Sequence, residues 1–229
     1  MTARTTSGNR GRATAARAPA RLSKATSRTG KPKLSRAEKS EITRNALFQA
    51  AAKVVGERGY DGAMIATITA RASVANGTFY NYFETRQALF DQLLPHLGRQ
   101  MLDFIKLRSA DARSAREREE RAFRAFFDFM LEYPEFYRIL YEAEVFAPRA
   151  FAEHMNLVTK GYMRVLNRAR DAGEIKRFSA EDTEAIAFIL MAARYYLCMR
   201  FARPRGKSVA LPEWVTKVYL KLIDGGLYG

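Results

Sequence analysis

Two histidines and one cysteine are all that this 229-residue chain offers for metal or thiol chemistry. A single cysteine, Cys198, excludes an intramolecular disulfide framework and suits a reducing compartment, so a cytoplasmic location is expected. His96 and His154 are far apart in the sequence, and no His-x-x-x-His, Cys-x-x-Cys or glycine-rich phosphate loop occurs. That inventory gives no metal site, no cofactor site and no catalytic constellation, and the chain does not read as an enzyme. No apolar run approaches the roughly 18 residues needed to span a bilayer, so no membrane partner is expected. The N-terminus also lacks the apolar segment of a secretory signal. Acid is missing there as well: residues 1–36 hold ten Lys or Arg and no Asp or Glu.

What is present is positive charge, unevenly placed. The formal net charge is +15, and the first 36 residues account for all but +5 of it. Residues 1–34 are mainly Ala, Thr, Ser, Gly and Arg, too poor in bulky apolar groups to offset the entropy of ordering, and a disordered basic arm is expected. Such an arm can neutralise nucleic-acid phosphates and release counterions without fixed geometry. Residues 37–90, with six bases and five acids, are nearly neutral. At 48% hydrophobic residues the chain as a whole has ample material for a core.

The periodicity is helical throughout, and no sustained strand pattern competes with an all-α reading. Ser35-Arg36-Ala37-Glu38 is a capping-box pattern for a first helix carrying Leu47, Ala50, Ala51, Val54 and Val55 and closed by Gly59. Thr85 can cap a helix that runs past Pro95 and Gly98 towards Lys106, with a kink expected at the proline. Five more helical stretches follow. One opens at Ser114-x-x-Glu117, one at Pro134, and one runs from Pro148 through Phe151, Met155, Val158, Tyr162, Val165 and Ala169 to a stop at Gly173. Residues 180–202 show two apolar stripes, one through Ile186, Ile189, Leu190, Ala193 and Leu197, the other through Ala185, Phe188, Ala192, Tyr195 and Met199. A helix apolar on two sides needs two partners. Leu211, Val215, Val218 and Leu222, with Trp214 beside them, give the final helix a stripe of its own.

The organising stretch is Met64 to Phe90. Met64, Ile65 and Ile68 anchor a short helix, and Val74, Phe79 and Phe83 anchor a second after a tight turn. Asn76, Gly77, Thr78, Tyr80, Asn81 and Tyr82 are left as an uncharged polar outer face, suited to base edges and phosphates in a DNA groove.

With Gly59-Tyr60, Ile68-Thr69-Ala70 and the block Val74-Ala75-Asn76-Gly77-Thr78-Phe79-Tyr80-Asn81-Tyr82-Phe83, followed by Glu84-Thr85-Arg86, the chain resembles the TetR family of bacterial transcriptional regulators over about residues 38 to 90. It departs from the family pattern at Ser73, where the turn glycine is usual, at Ala75 in place of a capping serine, and at Asn76 in place of a lysine. The resemblance implies a helix-turn-helix DNA-binding domain of three helices at residues 35–90, then a larger helical ligand-binding and dimerisation domain at 91–229. It further implies a homodimer through the last two helices on a palindromic double-stranded DNA operator, released by a small-molecule inducer and acting as a repressor. DNA contacts are expected from Asn76, Gly77, Thr78, Tyr80, Asn81, Tyr82, Arg86 and Arg36. A mainly apolar inducer pocket is expected from Phe104, Phe123, Phe127, Tyr137, Tyr141, Tyr162 and Phe188. The basic arm alone would also fit a nonspecific or architectural DNA-binding protein.

Overall fold

The first helix begins one residue after Ser35: α1 spans Arg36–Gly62. The structure, a computed structural model, describes residues 35–228, so the expected basic arm at 1–34 lies outside the described residues. Leu47, Ala51, Val54 and Val55 of α1 are fully buried. The helix breaks at Gly59, whose φ of 76° and ψ of 172° belong to a region open essentially to glycine alone. The break turns Tyr60 into the core, where its ring meets Phe90 edge-on at 4.9 Å.

Two short helices follow, α2 (Ile65–Arg71) and α3 (Asn76–Phe79), and then α4 (Arg86–Arg108). Thr85 caps α4 by accepting the Ala88 N–H at 3.0 Å. Helical structure continues on both sides of Pro95, so the proline does not end the helix. The boundary expected at residue 90 falls inside α4, one continuous helix.

Beyond it lie α5 (Ala115–Glu132), α6 (Glu135–Phe146), α7 (Pro148–Asp171), α8 (Thr183–Leu197) and α9 (Glu213–Gly226), with a π-helical turn at Cys198–Ala202 and a 3-10 turn at Pro204–Gly206. No strand occurs among the described residues. Ser114 caps α5 by accepting the Glu117 N–H at 3.1 Å. At the end of α7, Gly173 (φ 76°) and Glu174 donate to Arg170 and Ala169 carbonyls at 2.8 and 2.9 Å, a Schellman close.

α4 packs on α5 and α7, and α1 lies chiefly against α6. That last contact is polar as well as apolar. The Glu142 carboxylate accepts the Tyr60 N–H at 3.0 Å, next to the broken turn, and pairs with Arg138 at 2.6 Å. Arg138 in turn donates to the Glu57 carbonyl at 3.1 Å, and Lys53 pairs with Glu135 at 2.9 Å. α6 therefore holds the otherwise unsatisfied groups at the end of α1.

Inside the larger bundle, Arg194 of α8 is 4% exposed. It donates to Glu119 of α5 at 2.6 Å and to the Tyr219 hydroxyl of α9 at 3.2 Å. The Phe123, Tyr162 and Tyr219 rings surround its guanidinium. This buried charge lies on the inward side of α8, and of the two expected stripes the first is mostly inside and the second outside. Ile186, Ala187, Leu190 and Arg194 are inside, while Phe188, Ile189, Tyr196 and Met199 are exposed, Ile189 by 66%. On α9 the expected stripe splits: Val215 is buried, but Trp214, Val218 and Leu222 are exposed by 56%, 60% and 73%. On α7, Leu166 is buried and Val165 exposed, and His154 joins the buried line. Residues Thr183–Ala202 are long and apolar enough, by length and composition, to cross a membrane, although Glu184, Arg194 and Arg200 interrupt the apolar run.

Candidate DNA-reading face

The candidate site is built by the turn between α2 and α3. Ser73 takes φ 56°, the left-handed region that L-residues adopt at a cost. Around it, Ser73 and Val74 donate to the Ala70 and Thr69 carbonyls at 3.2 and 3.0 Å, so a serine closes the Schellman turn that a glycine would close without strain. Ala75, the residue before α3, offers no side-chain cap. The Thr69 hydroxyl instead donates to the Asn76 side-chain carbonyl while lying within reach of the Ile65 and Ala66 carbonyls. This hydroxyl bridge ties the two helices together from side chain to side chain.

From below, α3 is seated by Phe79 and Phe83, 0% and 2% exposed. Phe83 meets Phe48 of α1 edge-on at 5.3 Å, so the face is held against the first helix. The backbone continues past α3 in hydrogen-bonded turns: Asn81 donates to Thr78, and Tyr82 and Phe83 donate to Phe79, at 3.0–3.2 Å. Met64, expected as an anchor, is instead 57% exposed and occupies the N-cap of α2. Ala63, one residue earlier, is buried.

The expected contact residues divide into three groups. Asn76, Gly77, Tyr80 and Asn81 are exposed, Tyr80 by 58%. A Cβ placed on Gly77 would meet no atom within 4 Å, so nothing inside the chain requires glycine there. Thr78 and Tyr82 are half-buried, with Tyr82 packed against the core. Arg86, in the first turn of α4, folds back: one guanidinium nitrogen lies 3.3 Å from the Asp61 carbonyl and 3.5 Å from the Met64 sulfur, and the group sits over Phe90. Arg36, the first residue of α1, is exposed. Nearby, Arg71 is held by Glu57 in a two-pronged pair at 2.6 and 2.8 Å, which fixes α2 on α1. The pair lowers the Glu57 carboxyl below the usual carboxylate range, chiefly through the Arg71 hydrogen bond.

The seven aromatics expected to line an inducer pocket are not brought into one place. Phe123 and Phe127 are buried, and Phe123 stacks on Tyr219 at 3.9 Å beside Arg194. Phe104, Tyr137 and Tyr162 are half-buried against the core. Tyr141 is 60% exposed and stacks with Tyr137 and Tyr195; Phe188 is 46% exposed on the outer side of α8. Phe188 faces away from Phe123 because the buried Arg194 fixes the rotation of α8. A cavity where α1, α4 and α7 meet and an open groove beside Tyr228 are lined by none of the seven. The sequence reading missed the α6 bracket of Arg138 and Glu142, since no local pattern signals a partner 82 residues away.

Comparison with known proteins points one way. The profile of the bacterial regulatory proteins of the tetR family matches residues 47–93. An uncharacterised HTH-type transcriptional regulator, YvdT of Bacillus subtilis, is 42% identical over 60 residues, covering 26% of this chain and 31% of that protein. The chain thus aligns with about a third of that relative's length. Among solved structures, a TetR-family transcriptional regulator from Rhodococcus sp. superposes with a TM-score of 0.70 at 20% identity, covering 82% of this chain and all of that one. The transcriptional regulator FadR of Bacillus subtilis, solved in complex with stearoyl-CoA, gives a TM-score of 0.64 at 16% identity over 80% of this chain and 98% of that one.

Proposed function

The chain belongs to the TetR family of bacterial regulatory proteins, and from that premise we propose that it is a dimeric, ligand-responsive repressor that binds a palindromic operator. The observation that carries this reading is the outer side of α3 and its following turn. Tyr80 and Asn81 stand in solvent, and Gly77 is bare with no packing reason to be so. A bare backbone on an exposed helix lets a second surface come close, and amide, hydroxyl and phenol groups can reach base edges. In this reading Tyr80, Asn81 and Thr78 contact bases or phosphates, and Tyr82 clamps a phosphate. Asn76 positions the helix through Thr69 and offers its remaining amide outward. Arg86 reaches a phosphate with the donors that Asp61 leaves over, and Arg36 adds a backbone contact at the start of α1.

The dimer is supported by the apolar faces left open on α8 and α9. Phe188, Ile189, Ala192 and Tyr196 follow helical spacing on α8, Met199 extends the face into the π-helical turn, and Trp214, Val218 and Leu222 follow it on α9. Two such pairs related by a two-fold axis form a four-helix contact, and two heads then meet successive major grooves. The same contact accounts for the apolarity of Thr183–Ala202 without a bilayer. The inducer is proposed to be a small hydrophobic molecule entering between the helices around Phe104, Phe127 and Tyr162 by repacking. Acyl thioesters are the first compounds to screen, given the ligand in the FadR structure. The inducer can bias the heads only by its differential affinity for the two states.

Selection of bound DNA from a random pool, followed by competition with random duplex, tests the reading. A recovered palindrome that resists competition is expected. Equal loss to random DNA of the same length would favour a nonspecific architectural protein, the second reading recommended by the ten bases of residues 1–36. Asn81→Ala should shift the sequence selected, whereas Tyr82→Phe and Arg86→Gln should weaken all sequences alike.

A further inference from the structure

Met64 stands at the N-cap of α2, 57% exposed, and its side chain caps nothing there. What its sulfur touches is Arg86, 22 residues further along, at 3.5 Å from one terminal guanidinium nitrogen. The same nitrogen donates to the Asp61 carbonyl at 3.3 Å, and the group lies 5.6 Å from the centre of the Phe90 ring. A thioether is a weak acceptor, and 3.3 Å is long for a hydrogen bond to a carbonyl. Among the described residues the other guanidinium nitrogens of Arg86 have no partner, and neither is sealed from solvent. The charge is therefore lightly held and free to meet an outside acceptor.

The thioether is the part of this contact that chemistry can change. With hydrogen peroxide, the sulfur lone pair attacks a peroxide oxygen, the O–O bond breaks, an S–O bond forms and water leaves. Sulfur is oxidised by two electrons and the peroxide is reduced by two. The sulfoxide puts a strongly polar oxygen where a weak acceptor stood. Of the described methionines only Met64 and Met199 are exposed, and Met101 and Met130 are buried. Met64 is the sole methionine between residues 36 and 90, so a peroxide that reaches this head meets one thioether.

We propose that Met64 is a modification site for peroxide, and that its sulfoxide captures Arg86 and lowers DNA affinity. The sulfoxide oxygen accepts a charge-assisted hydrogen bond from the guanidinium, roughly twice as strong as a neutral one. Arg86 is then held back over Phe90, in competition with a phosphate. The proposal rests on the reading of Arg86 as a phosphate contact. It adds a chemical signal that enters at the head itself, without passing through the larger domain.

The full chain carrying Met199→Leu, which removes the other exposed thioether, is treated with dilute hydrogen peroxide. Peptide mass spectrometry follows the addition of one oxygen at Met64, and fluorescence anisotropy reads affinity for the duplex selected from the random pool. Oxidation at Met64 should weaken binding at least about tenfold, and methionine sulfoxide reductases A and B together should restore it. Adding Met64→Leu should leave the untreated affinity as it was and limit the peroxide effect to less than about twofold. Arg86→Gln starts weaker and should lose no more on oxidation, because the group that the sulfoxide captures is gone. Untreated protein that prefers no duplex removes the DNA-binding reading and this proposal with it. Untreated protein that binds, but keeps its affinity once Met64 is oxidised, overturns the proposal alone. So does an equal loss in the Met64→Leu or Arg86→Gln protein, or a Met64 left unmodified while the buried methionines react.

Discussion

Gly77→Ala separates what the chain needs from what its partner needs. Gly77 is the second residue of α3, and a Cβ built there meets no atom within 4 Å. The substitution therefore adds a methyl to open space and removes the excess backbone entropy of glycine. In a helix interior that exchange is worth about 1 kcal/mol. In a four-residue helix about half of it is expected, so the protein should gain about 0.5 kcal/mol. For a domain of this size that corresponds to a rise of about 1–2 °C in Tm. If the bare backbone is there to approach DNA, the same methyl stands in the interface, and operator affinity should fall at least about tenfold, or about 1.4 kcal/mol. Differential scanning calorimetry and fluorescence anisotropy on the selected operator read the two quantities on one sample. A more stable protein that binds worse cannot be explained by damage to the fold. Unchanged operator affinity, with the stability gain present, would refute the placing of Gly77 against DNA.

Three further outcomes follow from the same geometry. Ser73→Gly relieves the φ of 56° and should raise stability by about 0.5–1 kcal/mol, read as a higher urea midpoint; a lower midpoint would show that the turn is not strained. His154 is buried beside Gly98, its Nδ1 has no partner, and burial lowers its pKa to about 4. The unfolded chain, with an ordinary value near 6.5, takes up the proton first, so stability present above about pH 6.5 should drain away as pH falls towards 4. The loss is about 3 kcal/mol, and His154→Leu should flatten that slope in acid melts; an identical slope in the variant would place the acid sensitivity elsewhere. Ile189→Asp, a change at a residue 66% exposed in the single chain, should leave the fold intact and yield a monomer by sedimentation; a persistent dimer would move the interface off α8.

Much of the architecture was written in local pattern. Ser114, Thr85, Pro148 and Gly173 stand at helix ends because caps and stops depend on a few consecutive residues. The helix-turn-helix block was legible for the same reason, down to the serine forced into the left-handed turn. What periodicity could not supply was rotation and partnership. Two apolar stripes on α8 are equivalent in sequence, and the Arg194–Glu119 pair between elements 75 residues apart decides which one is buried. That choice put Phe188 of the second stripe outside and removed it from the expected pocket, and it left Ile189, at the edge of the first stripe, exposed as well. Met64 left the core because the break at Gly59 resets the chain before α2, and Arg86 and Asn76 turned out to be engaged within the head by Asp61 and Thr69. The sequence by itself determined the helices, their ends and the reading block, since each is a short-range choice. Only the tertiary structure decided which faces meet, where Glu142 receives Tyr60, and where one arginine Nε is left without an acceptor. Those depend on the position of residues that nothing in the local sequence connects.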